Sequence, residues 1–266
     1  MGDSLLRKKN GAVMTLTMNR VEMRNALGFP EDADAFREAA KEIDTDQDIR
    51  CVILTGNGPA FSAGGNIKAM REKSGMFSGS PLAVAEGYRS VIHQVVHALW
   101  NIEVPVISAV NGPAIGLGCD VACMGDLRIC NQSAIFGATF LKLGIVPGDG
   151  GAWLLPRTIG LARAAELFFT ADTINAQTAL EWGLVSKIVA DDKLLEAAQD
   201  LAQRVIGQPR GVLRMTKRLM RRGLHQSFED VMEQSAAMQA LAHFTDDHRE
   251  ALGAFFEKRP PKFTGN

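Results

Sequence analysis

Apolar and polar positions divide the chain into a first part of short apolar runs alternating with helices and a second part that is mostly helical. Ala12 to Met18 alternates and predicts a strand. Arg50 to Thr55 is a short apolar run, and Val104 to Val110, Leu127 to Cys130 and the shorter Ala134 to Phe136 read as further strands. Pro30 opens a helix with an apolar face of Ala33, Phe36, Ala40 and Ile43; proline is tolerated in a first turn, where its missing N–H has no partner to lose. Residues 71 to 81, rich in Ser, Gly and Met with one Pro, predict a mobile loop. Val84 to Trp100 then has helical spacing through Val91, Val95, Ala98 and Leu99. Strand–strand–helix or strand–helix units in succession predict parallel crossovers.

After Gly150 the pattern becomes helical, over Ala152 to Ile159, Ala162 to Thr170 and Ala176 to Trp182. Gly183 ends the third helix and Leu184 to Val189 predicts a strand. Asp191 is placed to cap the next helix, up to Ile206, and Pro209 to Arg222, Phe228 to Ala242 and Asp246 to Phe256 follow as helices. The expected organisation is an α/β core over residues 1–190 and a helical region over 191–266, within the size of one domain.

Composition narrows the classes. With 266 residues, 46% hydrophobic, 22% charged and a net charge of -1, the chain is globular, with no excess charge to draw nucleic acid or an anionic membrane. Cys51, Cys119, Cys123 and Cys130 all lie in apolar context without a Cys-x-x-Cys pair, and read as small core residues of a reducing compartment. No signal-like apolar segment and no membrane-length run is seen, and Leu at position 6 argues against N-myristoylation, so a cytoplasmic protein is expected.

Two glycine-bearing corners carry the candidate chemistry. In Ala109-Val-Asn-Gly-Pro-Ala-Ile-Gly-Leu-Gly-Cys-Asp120 an apolar strand stops at Asn-Gly-Pro and a buried helical turn follows. Such a helix start leaves N–H groups unpaired with a positive dipole end behind them, which suits a developing oxyanion or a phosphate equally. Phe61-Ser-Ala-Gly-Gly-Asn-Ile-Lys68 also follows a strand and a Gly/Pro turn. Two such corners could aim one N–H each at a single carbonyl oxygen.

These two stretches, together with Gly144-Ile-Val-Pro-Gly-Asp-Gly-Gly151, resemble the crotonase (enoyl-CoA hydratase/isomerase) superfamily in motif order and spacing, from about Val13 to the C-terminus. The resemblance implies a crotonase-like α/β spiral of strand–strand–helix units with a C-terminal helical trimerisation region. It implies trimers that pair into hexamers, and an acyl-CoA thioester substrate. No metal or redox cofactor is implied; coenzyme A enters as part of the substrate. By the match, the backbone N–H groups of Gly65 and Leu117 would hold the oxygen of a thioester enolate. Ala63, Gly64, Asn66 and Ile67 would lie along the coenzyme, with Asn66, in place of a frequent Asp, also able to cap a helix. Phe255 and Lys258 would reach the coenzyme of a neighbouring subunit, unless Lys258 is simply a surface charge.

Asp120 falls where the family's first catalytic glutamate stands; its other reading is a carboxylate favouring its own helix dipole. Phe140 stands where hydratases of the family keep a second glutamate, and phenylalanine moves no proton. That departure resembles branches that shift double bonds or rearrange a ring, as do Trp153-Leu-Leu-Pro-Arg157 and the ending Phe263-Thr-Gly-Asn266. Such branches often carry an aspartate directly after the proline of the Val-Pro turn; here Gly148 stands there and Asp149 follows. Asp149 is therefore either a second proton carrier or an N-cap for the helix after Gly150. The expected activity is double-bond isomerisation or hydration of an unsaturated acyl-CoA, with Asp120 the main acid/base, and the alternative is an acyl-CoA binding protein that kept the pocket without turnover. His93 and His97, i and i+4 on one helix, lack a third ligand and read as packing residues. Arg218, Arg221 and Arg222 read as a solvated helix face, with an adenosine-phosphate contact as the lesser reading.

Overall fold

The computed structural model describes residues 3–265; Met1, Gly2 and Asn266, the last residue of the closing Phe-Thr-Gly-Asn, lie outside the described residues. The chain runs β1 (Leu5–Asn10), β2 (Val13–Met18), α1 (Pro30–Thr45), β3 (Cys51–Gly56), α2 (Ile67–Glu72), α3 (Pro81–Gly87), α4 (His93–Asn101), β4 (Val106–Val110), β5 (Ala114–Ile115), α5 (Leu117–Met124), β6 (Leu127–Asn131) and β7 (Ile135–Gly137). It continues through α6 (Gly151–Ile159), α7 (Leu161–Thr170), β8 (Thr173–Asn175), α8 (Ala176–Glu181), β9 (Ile188–Val189), α9 (Leu194–Ile206), α10 (Arg210–Arg222), α11 (Phe228–His243) and α12 (Asp246–Glu257).

The main sheet has the order β1-β2-β3-β4-β6-β9, antiparallel at the β1–β2 hairpin and parallel elsewhere. Its inner strands are apolar on both sides because both faces are covered. Met14, Leu16, Val52, Leu54, Val106 and Val110 face a large core shared with α1, α4 and α5. Their neighbours Val13, Cys51, Ile53, Ile107, Ala109 and Ile129 face a second core capped by Leu194, Ala198 and Ala202 of α9. A small second sheet, β5-β7-β8, stands beside the first. Among the described residues no helix is long and apolar enough to cross a membrane.

Several expectations are corrected. The strand predicted over Leu184 to Val189 shrinks to β9, because Leu184 and Val185 are buried in the turn that precedes it. Asp191 does not cap α9; its carboxylate accepts the Ser133 N–H at 3.2 Å instead. The stretch 71–81 contains a short 3-10 turn, Gly75–Phe77, whose Met76 is buried in the main core. The helix expected from Val84 begins at Pro81 and passes through a π turn, Tyr88–Ile92, before α4. Pro30 starts α1 as expected, and Ser80, inside the stretch read as loop, caps α3 by accepting the Ala83 N–H.

The basic cluster on α10 is solvated at Arg218 and Arg222, as expected, but Arg221 is part-buried. Arg221 pairs with Asp126 at 2.9 Å and stacks over Trp100 at 3.8 Å, and Arg218 reaches Glu103 at 2.8 Å. Lys217, just before them in sequence, donates to Val104 O at 2.8 Å and pairs with Asp126 at 2.6 Å. Burial pushes its ammonium down to about 8. Beyond this anchored helix, α11 buries none of its residues, and Phe228, Leu241, Phe244, Phe255 and Phe256 are exposed.

Candidate active site

The site grows from the two corners and from what joins them. Asn25, in the left-handed region at φ 57°, accepts the Arg20 N–H with its side-chain oxygen and donates to the carbonyls of Asn57 and Ala60. Ser62 Oγ donates to Asn25 O at 2.8 Å and accepts the Gly64 N–H at 3.2 Å. The Ser62 N–H donates to Pro113 O at 3.1 Å and the Ile115 N–H donates to Ser62 O at 3.0 Å, so the first corner is hydrogen-bonded directly to the second. Gly64 is needed at their contact: its φ is +93°, and an added Cβ would lie 2.4 Å from Ile115 O and 3.4 Å from Leu117 N.

Leu117 is the first residue of α5, so its N–H has no acceptor within the helix. Among the described residues neither this N–H nor that of Gly65 donates to a main-chain acceptor of the turns and loops. Gly65 and Leu117 both line one small cavity of about 50 Å³. Ala63, Gly64, Ile67, Phe140 and Asp149 line it too, and Met70, Tyr88, Ile92, Leu143 and Ile145 complete its apolar wall. Phe140, on the 3-10 turn Thr139–Leu143, is buried with its ring against Gly116. Asn66 sits next to the cavity as the N-cap of α2, its Oδ1 accepting the Ala69 N–H at 3.1 Å. Phe255 and Lys258 lie on the exposed end of α12 and are not part of this cavity wall.

The two aspartates differ in position. Asp149 is on the cavity wall and only 4% exposed. It does not cap α6, whose N-cap is Gly150 without a side-chain bond. The carboxylate at that helix end is Asp120, reaching across from α5: its Oδ2 accepts the Gly151 N–H at 2.9 Å. Gly151 leaves room for it, since a Cβ there would fall 2.1 Å from Asp120 Oδ1. Asp120 is fully buried behind the wall, and each aspartate leaves its Oδ1 without a partner.

Electrostatics separates them further. Burial holds the Asp149 carboxyl up at about 6, against a small opposing pull from His93. Burial pushes Asp120 well above the ordinary carboxylate range, the Asp149 charge pushes it further, and the Gly151 N–H offsets only part of this. Asp149 thus ionises first, and its charge keeps the proton on Asp120.

On the π turn side, sequence reasoning read His93 only as a packing residue and did not single out Tyr88. His93 Nε2 is 2.9 Å from Gly148 O and so fixes the loop that presents Asp149. Tyr88 shares the cavity wall with Asp149. Helical periodicity points both residues along one helix; the extra residue of a π turn, a frequent mark of functional sites, is invisible to it.

The fold and pocket define a class: an α/β spiral in which two strand-to-helix corners meet over one buried, acid-edged cavity. The family model for enoyl-CoA hydratase/isomerase matches residues 8–266, and the chain belongs to this family, the crotonase superfamily. It is similar to the 1,2-epoxyphenylacetyl-CoA isomerase of Escherichia coli (strain K12), with 35% identity over 266 residues covering 100% of both chains. It is also similar to the short-chain-enoyl-CoA hydratase of Clostridium acetobutylicum, with 34% identity covering 97% of this chain and 96% of that one. Among solved structures, an enoyl-CoA hydratase from Bacillus anthracis superposes with a TM-score of 0.91 at 30% identity, covering 99% of this chain and 100% of that one. The crotonase-like fold expected from the three motifs is therefore the fold of this chain.

Proposed function

We propose that the chain is an isomerase acting on unsaturated acyl-CoA esters through a thioester enolate. The observation that carries this reading is the composition of one cavity wall: the Gly65 and Leu117 corners on one side, Asp149 with its proton affinity raised on another, and Phe140 where a hydration enzyme needs a second carboxylate. With a 3-enoyl-CoA, the Asp149 carboxylate takes a proton from the carbon next to the thioester. The electron pair moves onto the thioester oxygen, held by the Gly65 and Leu117 N–H groups. The same carboxyl then returns the proton to the far end of the dienolate, leaving the double bond conjugated. Two preorganised donors on a largely apolar cavity wall supply several kcal/mol, of order 3 each, to the charged intermediate. Asp120 stays protonated behind the wall, its proton held there by burial and by the Asp149 charge.

An absorbance assay tests the reading. The protein is expected to convert a 3-enoyl-CoA to the conjugated ester, with a rise in enoyl-thioester absorbance, and to hydrate crotonyl-CoA far more slowly. Faster loss of the crotonyl-CoA absorbance would make it a hydratase. Turnover of neither ester, with tight binding of both by calorimetry, would leave an acyl-CoA binder.

A further inference from the structure

Two polar side chains on the cavity wall have no part in that proton transfer, Thr139 and Tyr88, and Tyr88, the chain's single tyrosine, is the one packed on the loop of Asp149. It opens the π turn Tyr88–Ile92. Its ring is held on three sides: edge-on to Phe77 at 6.0 Å, tilted against His93 at 6.2 Å, and against the Gly148 backbone, where a Cβ would lie 3.5 Å from its Cε1. The ring therefore packs on the loop that presents Asp149. The neighbouring wall is mostly apolar, with Met70, Ile92, Phe140, Leu143 and Ile145 and the single hydroxyl of Thr139.

The hydroxyl at the end of this fixed ring is not used by the protein. Among the described residues it makes no hydrogen bond with another protein group, and on a part-buried side chain it is free to meet an acceptor that enters the cavity. Burial, and secondarily the Asp149 charge, push the phenol above its ordinary range, so at neutral pH it keeps its proton and acts as a donor. A preoriented donor on a mostly apolar wall, next to the group that moves the proton, matches an acceptor atom on the bound molecule.

We propose that Tyr88 is a specificity residue whose hydroxyl donates a hydrogen bond to an oxygen carried on the acyl chain beyond the thioester carbonyl, so that the pocket selects oxygen-bearing acyl groups over plain hydrocarbon ones. This deepens the acyl-CoA reading and rests on it. A site built to hydrogen-bond a substrate oxygen discriminates against the analogue that lacks it, because its donor is left unpaired.

The test compares acetoacetyl-CoA with butyryl-CoA, which differ by one oxygen on the third carbon, by titration calorimetry with wild type and Tyr88→Phe. Phenylalanine keeps the ring contacts, and an unchanged thermal midpoint verifies that the variant is folded. Wild type is expected to prefer acetoacetyl-CoA. The variant is expected to lose about fivefold to tenfold in affinity for it while binding butyryl-CoA within about twofold of wild type. Equal affinity of wild type for the two esters, retention of the preference by the variant, or an equal loss on both esters would each overturn the role of Tyr88 and leave the acyl-CoA reading intact. Binding of neither ester by wild type would remove that reading and the proposal with it.

Discussion

Asp149 holds its proton up to about pH 6 and then gives it up next to the Gly65 and Leu117 corners, and this sets three expectations at the scale of single residues. As the base it must be ionised, so kcat/KM is expected to rise with pH through about 6 in a profile measured from pH 4.5 to 8. Asp149→Asn should lower the rate ~10²-fold or more and remove that limb. Asp120→Asn copies the protonated state that Asp120 already occupies, so the rate should stay within about tenfold and the limb near its wild-type position; a ~10²-fold loss would move the proton carrier to Asp120. Stability gives an independent reading. The fold favours protonated Asp149, so between the ordinary carboxylate range and about pH 6 the native chain holds a proton that the unfolded chain has released. Its contribution is full below that interval and is lost as pH rises through it. Asp149→Asn should therefore gain on wild type between pH 4 and pH 8 by roughly 2 kcal/mol in urea titrations. Both aspartates and Phe140 were legible as candidates because they fall on or beside motif positions. Which aspartate faces the cavity was not: it depends on how the loop at Gly148 is turned, and His93, 55 residues away in sequence, holds that loop.

At the scale of elements, the strands and helices with strong periodicity were read to within a residue or two, since burial on two faces or on one stripe writes itself into the sequence. β1 was not read, because Leu-Leu-Arg-Lys-Lys-Asn buries only Leu5 and carries the charges of an edge strand. β5 and β8 were also missed; two or three residues are too few for a period, and their pairing with β7 comes from tertiary contact. The joint between α5 and α6 is another feature of tertiary structure, a carboxyl of one helix lodged on the first residue of the next. Gly151→Ala would press a methyl group into Asp120, so it is expected to destabilise the chain by about 2 kcal/mol in urea unfolding. It should also reduce activity, as Asp120 is displaced from its seat on the Gly151 N–H.

For the molecule as a whole, the helices after α10 present large apolar side chains that their own chain does not cover, Phe244 being 90% exposed. We propose that copies of the chain cover them in a trimer or a pair of trimers, which also brings Phe255 and Lys258 of one copy to the coenzyme of another. Light scattering is expected to give the mass of three or six chains, and Phe244→Asp to shift it toward one chain with circular dichroism unchanged; a monomeric wild type would refute the assembly. The corners carry a last consequence. Their N–H groups belong to the main chain, and that main chain is sewn together by main-chain bonds of Ser62, Pro113 and Ile115 rather than by the side chains at 88, 140 and 149. Under the proposed function, grip on the thioester and choice of reaction are thus separable, and exchanges at positions 88, 140 and 149 are expected to redirect what happens along the carbon chain while the hold on its carbonyl end persists. Such a frame can be retooled for new chemistry one side chain at a time.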